Sequence, residues 1–226
     1  MSKKPVIKFE SVKEFYPDVL VPSKTTVPKW YKDEKAPDVT EGGTFKTCVP
    51  FLESMITGYS VLLPVDLLVT QRPDGPYMEW RQQATERMIG FSGGTTVDKI
   101  ITSKGYYEHS FFWHFPVSFK VPEGYSVLIT SPLNRFDLPF YTLSGVMDGG
   151  YTLAPNAFIP FYLQAGFEGI IPQGTPIAQL IPFKNESWSS EKTEGMVKEG
   201  ELNRSRSNAL FYGWYKKTWW TKKDYT

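Results

Sequence analysis

A mainly β fold, a sandwich or barrel of short antiparallel strands, is what this sequence predicts, and three observations carry the prediction. Glycine and proline each occur 18 times in 226 residues, which punctuates the chain too often for long helices. Aromatic residues make up 16% of the chain, and Tyr, Phe and Trp favour strands and interfaces. From Thr44 onward, short apolar or alternating segments lie between clusters of Pro, Gly and Asp. A chain of this length is long for one domain and short for two. It can bury roughly 70% of its unfolded surface, so no disulfide or metal staple is required.

Residues 1–43 read as a Pro-rich N-terminal arm, because Pro5, Pro17, Pro22, Pro28 and Pro37 each fix φ and remove a donor. Such an arm either covers its own core or reaches a neighbouring subunit. Residues 44–186 read as the β-rich core. FKTCVPFLESMITGYSVLLPVDLLVTQ carries two apolar runs split by Gly58, and Pro64 demotes the second to an edge or bulged strand pair. Asp66 within it needs polar partners. Pro73-Asp74-Gly75-Pro76 predicts a turn leading into the strand YMEWRQQ. Gly93-Gly94 reads as a plain turn, since the Lys-Ser/Thr and helix of a phosphate loop are missing.

YYEHSFFWHF predicts an aromatic strand with Tyr107, His109, Phe111, Trp113 and Phe115 on one face. Glu108, Ser110, Phe112 and His114 take the other. The two histidines, His109 and His114, then face opposite sides and cannot share a metal. Ser110 and His114 share a face but lie roughly 13 Å apart at ~3.3 Å per residue, too far for nucleophile and base. No nucleophile elbow marks a serine elsewhere. Pro122-Glu123-Gly124-Tyr125 predicts a turn with proline at its first central place. GVMDGGY at 145–151 predicts a hairpin around Asp148-Gly149-Gly150, and GTPIAQLIPF predicts a Gly turn and a last buried strand.

Residues 187–226 read as a helical and aromatic-basic tail. Ser189 or Ser190 is the candidate N-cap, with Glu191 and Glu194 in the first turn and Gly195 and Gly200 weakening the helix. Trp214, Trp219 and Trp220 interleave with lysines and are candidate interface residues. Basic-aromatic interleaving also suits single-stranded nucleic acid. Nucleic acid is nevertheless not an expected partner, because Lys plus Arg total 25 against 24 Asp plus Glu and no basic groove accompanies the tail. The one cysteine, Cys48, rules out an intramolecular disulfide and reads as a small buried apolar side chain. No apolar run approaches the ~18 residues of a membrane span, and MSKKPVIKFE has no signal h-region. The expectation is a soluble protein without membrane partners, located in the cytoplasm of the producing cell.

GVMDGGY followed by strands and IPQGTPIAQLIPF resembles the dUTPase and dCTP deaminase superfamily. The matching residues are Gly145, Val146, Asp148 and Tyr151, then Gly174, Ile177, Ala178, Gln179 and Leu180. VPEGYSVLITSPL is similar to the strand that leads into that superfamily's phosphate motif. The chain also resembles a group of uncharacterised phage and bacterial proteins with TSPLNRFDLPF and GTPIAQLIPF segments. The resemblance implies a β-clip fold, usually trimeric, with sites at subunit boundaries. It implies Asp148 as the group that activates water, Tyr151 under a nucleoside, and Gln179 at the site wall.

Where the superfamily has Arg-Ser-Ser, this chain reads TSPLNRFD. Ser131 remains, Pro132 replaces the second serine, and Asn134 and Arg135 are the substitute candidates for phosphate contact. The Gly-rich C-terminal motif is absent, and no acidic cluster supplies Mg²⁺ ligands. Phosphoryl chemistry depends on charge stabilisation, so this loss weighs against activity. The sequence therefore points first to a non-enzymatic, oligomerising structural or interaction protein without cofactor, a component of a phage particle with other virion proteins as partners. The alternative is a nucleotide-binding or nucleotide-hydrolysing enzyme with a rebuilt phosphate site and Mg²⁺. A cupin-type barrel ranks below both, since no His-x-His metal pattern occurs.

Overall fold

The computed structural model describes residues 4–12, 19–35, 44–80, 88–91, 101–102, 104–209 and 213–226. The expected mainly β class is present: fourteen strands among these residues form four antiparallel sheets. In chain order they are β1 (Lys8–Ser11), β2 (Leu20–Pro22), β3 (Tyr59–Leu62), β4 (Leu67–Arg72), β5 (Gly75–Trp80), β6 (Ile89–Phe91) and β7 (Phe111–His114). Then follow β8 (Val117–Lys120), β9 (Tyr125–Thr130), β10 (Phe140–Thr142), β11 (Gly145–Asp148), β12 (Phe158–Leu163), β13 (Gly169–Ile171) and β14 (Pro176–Lys184). They are accompanied by the helices α1 (Lys29–Asp33), α2 (Val49–Ile56), α3 (Met196–Ala209) and α4 (Gly213–Thr218).

The five-stranded sheet runs β11-β9-β14-β3-β2, the four-stranded one β10-β12-β7-β6, the three-stranded one β13-β4-β5, and β1 pairs with β8. All four contribute to one core. It joins Val61 and Leu180 of the first sheet to Trp113 and Phe161 of the second, Leu67 and Val69 of the third, and Val117 and Phe119 of β8. The aromatic strand supplies its centre. Phe111, Trp113 and Phe115 are buried on the face that alternation assigns them. The strand is shorter than its sequence suggests, however, and His109 sits exposed in a bend before it, paired with Glu108 at 3.4 Å.

β14 is the buried central strand that GTPIAQLIPF predicts. It pairs with β9 on one side and β3 on the other, and its register with β3 shifts between Pro176 and Ala178, next to a residue that cannot donate. Pairing with β3 stops at Leu180, so Pro182 meets only β9 and its missing N–H leaves no bond unmade.

Parts of the first 43 residues lie along the chain's own core. Among those described, β1 adds to β8, and β2 adds an edge to the five-stranded sheet through Leu20↔Val61. Burial of Val19, Leu20 and Tyr31 explains why the segment lies on its own core. The first apolar run after Thr44 is a helix, α2, with proline in its first turn, where the lost N–H costs nothing. Cys48 precedes it and is exposed, which corrects the expectation of a buried thiol. Asp66 finds its partner in the backbone N–H of Gln173, at 2.7 Å. The Gly93-Gly94 turn and residues 81–87, where the YMEWRQQ segment ends, lie outside the described residues.

Two turns and one helix start differ from expectation. Pro122 is the first residue of its turn, not the first central one: Tyr125 N–H donates to the Pro122 carbonyl at 3.2 Å, and Gly124 takes the positive φ of 78°. The tail helix starts at Met196 after Gly195, not at Ser189 or Ser190, because Gly195 has φ 89° and breaks the backbone there. Asp148-Gly149-Gly150 does not close a hairpin. β11 pairs back onto β9, and no strand follows until Phe158. The two glycine amides are taken by the 121–125 turn, Gly149 N–H by the Tyr125 carbonyl at 2.7 Å and Gly150 N–H by the Val121 carbonyl at 3.0 Å.

A Cβ on Gly149 would fall 2.0 Å from the Pro122 carbonyl oxygen. Gly149→Ala is therefore expected to destabilise by about 2 kcal/mol through forced backbone movement. Urea unfolding checks this, and a variant of unchanged midpoint would refute the close-approach account.

Candidate functional site

Strand β9 separates the candidate residues into two groups. At its start lies Asp148, directly opposite Ser126. Ser126 Oγ sits 2.8 Å from Asp148 Oδ1 and 2.7 Å from Asn185 Oδ1, so the carboxylate belongs to a small polar cluster at the sheet edge. Tyr151 follows on an irregular segment and is 60% exposed. Past the other end of β9 lies the 131–138 loop, with Asn134, Arg135 and, reaching in from β14, Gln179. From Ser126 to Ser131 is roughly 17 Å at ~3.3 Å per residue. Within one chain Asp148 and Arg135 do not share a site.

The loop group is bonded internally. Gln179 is 1% exposed, and its amide makes three bonds to backbone. Its Nε2 donates to the carbonyls of Ser54 at 2.9 Å and Thr57 at 2.6 Å, and its Oε1 accepts from Leu133 N–H at 2.9 Å. Gln179 thus ties the loop to the C-terminal end of α2. Asn134 adopts φ 56° and donates through Nδ2 to Ser54 Oγ at 2.7 Å. Arg135 forms a fork with Asp137, Nε to Oδ1 at 2.8 Å and Nη2 to Oδ2 at 2.7 Å, and its Nη1 donates to the Thr26 carbonyl at 3.1 Å. The guanidinium is neutralised where it stands.

Beside these groups is a cavity of about 280 Å³ lined by Thr130, Ser131, Arg135, Phe136 and Tyr141 among others. Thr130 and Ser144 hydroxyls bond one another at 2.7 Å. The lining offers hydroxyls and rings, with its one guanidinium already paired.

Asp137 was not singled out in the sequence, although the Arg135-x-Asp137 spacing was visible. Burial alone would raise its carboxyl. Hydrogen bonds from Arg135 and Trp30, with the guanidinium charge, outweigh that and hold it below its ordinary value. A carboxyl depressed by folding contributes stability above its unfolded value of about 3.9, and the contribution is lost as pH falls through the folded value. Asp137→Asn is therefore expected to lower the urea midpoint at pH 7 and to flatten its decline below about pH 4. Identical pH profiles for the two proteins would show the pair to be energetically idle.

The tail tryptophans separate by role. Trp220 Nε1 donates to Glu53 Oε2 of α2 at 2.6 Å, and Lys223 Nζ meets Glu53 Oε1 at 3.0 Å, so the chain's end docks on its own body. Trp219 is 62% exposed. Trp214 is half-buried, its indole N–H finds no partner among the described residues and Arg206 lies 5.5 Å over its ring. Helix α3 buries nothing. His114 packs edge-on against Phe158 at 4.9 Å. Among the described residues no group of three or more His, Cys, Asp or Glu could hold a metal ion, and no helix is long and apolar enough to cross a membrane.

No protein-family model matches the chain, and no curated protein matches it. Among solved structures it is similar to a mutant dUTPase from phage phi11 of S. aureus, at 12% identity over 84% of this chain and 97% of that one, with a TM-score of 0.34. The fold is thus defined by the sheets themselves, mainly β with short antiparallel strands about a single core.

Proposed function

We propose that this chain is a non-enzymatic, oligomerising structural or interaction protein on a β-clip-like, dUTPase-like fold, made in the cytoplasm of the producing cell and carried in a phage virion. One observation supports the reading above all. Each group that would contact phosphate already bonds within the chain: Arg135 to Asp137, Asn134 to Ser54, and Gln179 to three backbone groups. Catalysis of phosphoryl transfer rests on donors kept open for developing charge, and these are closed. Assembly into a homo-oligomer, a trimer by the resemblance, is consistent with exposed apolar side chains such as Val146 at 63% and Tyr151 at 60% on and beside edge strand β11. No cofactor is required. Other virion proteins are the expected further partners, with neither nucleic acid nor membrane.

A second reading rests on Asp148 and Tyr151 standing at that same open edge. A neighbouring copy could bring its loop 131–138 against them and build a nucleotide site with Mg²⁺ across the boundary. Light scattering after size exclusion, with thermal melts in dUTP, dCTP and Mg²⁺, separates the two. The structural reading expects a homo-oligomer, co-purification with particles and no nucleotide-dependent shift. A monomer at high concentration that is absent from particles would overturn it. So would a nucleotide-induced rise in Tm that Asp148→Asn abolishes, and that result would establish the enzyme.

A further inference from the structure

From Phe183 to Leu202 every residue of the chain is exposed, Trp188 at 87% and Val197 at 76%. The excursion is held at both ends. Asn185 N–H donates to the Gly124 carbonyl at 2.9 Å, and Trp220 closes the far end on Glu53. Between these anchors stands α3, 14 residues long, with Gly200 inside it and no buried residue. Isolated helices shorter than about 12–15 residues are marginal in water, and an interior glycine weakens them further. Most helical stability comes from a packed face, and α3 has little of its own chain to pack on.

The charges of α3 form a pattern that is its own complement. Glu199-Gly200-Glu201-Leu202-Asn203-Arg204-Ser205-Arg206 runs from acid to base, symmetric about the Leu202–Asn203 bond. Two copies laid antiparallel at that point set Glu201 of each opposite Arg204 of the other. The helix dipoles then run in opposite directions as well. A single helix dipole favours Glu199 in the first turn and Arg206 in the last, but its effect falls off within those turns and leaves Glu201 and Arg204 unexplained.

Helical spacing puts Val197, Glu201 and Arg204 on one side of α3. Asn203, Arg206 and Ser207 take the other side, where Arg206 lies 5.5 Å over the Trp214 ring of α4. Glu201 and Arg204 are both exposed, and among the described residues neither takes part in an ion pair. The side that α4 leaves open is thus the side that carries the self-complementary pair.

We propose that α3 is a self-association surface, pairing antiparallel with α3 of a second copy through Val197, Glu201 and Arg204, with Leu202 beside the two-fold axis. A two-fold contact uses the same patch on both subunits and must be self-complementary. This charge order meets that condition, which is why a second copy, and not an unrelated partner, is the occupant. A standard interface takes about 20–30 residues a side, and the exposed run 183–202 with the rest of α3 is of that size. The proposal names a surface for the homo-oligomer proposed above and rests on that reading, but it uses other residues than edge strand β11.

Sedimentation equilibrium of the full-length protein tests it. Glu201→Arg and Arg204→Glu should each weaken self-association at least about tenfold, because each sets like charges opposite one another at two symmetric places. An equimolar mixture of the two variants should recover the wild-type association, since unlike charges then face each other at both places. Leu202→Glu, at the axis, should weaken association too and serves as the second variant should a charge variant not fold. Salt at about 1 M, where the Debye length is about 3 Å, should weaken the wild-type association. An oligomer that none of these substitutions loosens overturns the α3 contact and leaves the homo-oligomer reading standing. Loss in both charge variants that mixing does not repair also overturns the contact, because the charges then act within one helix. A wild-type monomer at high concentration overturns both.

Discussion

Replacing Trp113 with alanine is expected to destabilise the fold by about 4 kcal/mol, the usual cost of removing a buried Trp. Trp113 is 1% exposed and stacks on Phe161 with centroids 3.8 Å apart and rings 12° from parallel. Phe140 meets it edge-on at 5.0 Å. Its indole N–H donates to Thr142 Oγ1 at 3.0 Å, and Thr142 in turn donates to the Ile177 carbonyl at 2.6 Å. The truncation opens a cavity between β7, β10 and β12 and leaves Thr142 without its donor. Trp113→Phe should recover more than half of the loss, since the stack survives while the hydrogen bond does not. Equilibrium urea unfolding reads both. A loss below about 1.5 kcal/mol for the alanine variant would mean that the core collapses around the gap and that the ring is not its keystone.

Gln179→Leu carries the second large effect, also about 4 kcal/mol, although the side chain barely changes in volume. It leaves Leu133 N–H and the Ser54 and Thr57 carbonyls unpaired, and each buried orphan costs about 1–3 kcal/mol. The loss should be local before it is global. Amide exchange at Leu133 should quicken well before the core strands exchange, because the bond to Gln179 anchors the loop to α2. The measurement also separates a brace from a ligand contact. A Gln179→Leu variant with wild-type stability and slow Leu133 exchange would show that the amide is free for another role.

The Gln179 bonds hold in place a loop that has little regular structure. The 131–138 segment has no strand pairing, yet Asn134, Arg135 and Leu133 are each tied to elements far away in sequence. Partly buried loop backbone must be paired somewhere, and here Gln179 of β14 takes the Leu133 N–H, while the side chains of Asn134 and Arg135 bond to α2 and the 22–26 turn. The same bonds take the polar groups that a phosphate would need.

Much of the local structure was legible in the sequence. Alternation placed Phe111, Trp113 and Phe115 on the buried face, and Pro-Glu-Gly-Tyr and Pro-Asp-Gly marked turns that the chain makes. The Gly174 turn and the buried strand after it were visible for the same reason: strand period and glycine's tolerance of positive φ are properties of a few consecutive residues. The helix Val49–Ile56 was not distinguished from its neighbours, because its 8 residues make little more than two turns, too few for a helical period to stand out, although proline in its first turn was a signal. Asp148-Gly149-Gly150 looked like a hairpin because its residues permit one. What it does instead depends on the carbonyls of Val121 and Tyr125, which the sequence does not place beside it.

By itself, then, the sequence determined the strand-rich class, the places of several turns, the buried face of the aromatic strand and the near balance of acidic and basic residues. Tertiary structure alone decided the rest. It set β11 against β9, folded residues 19–35 onto the core, docked Trp220 on Glu53 across 167 positions, and put Asp148 and Arg135 at opposite ends of one strand. The physical reason is range. Propensity and periodicity act over a few residues, whereas a binding site or a hydrogen-bond brace is a meeting of groups that only the packed core brings together.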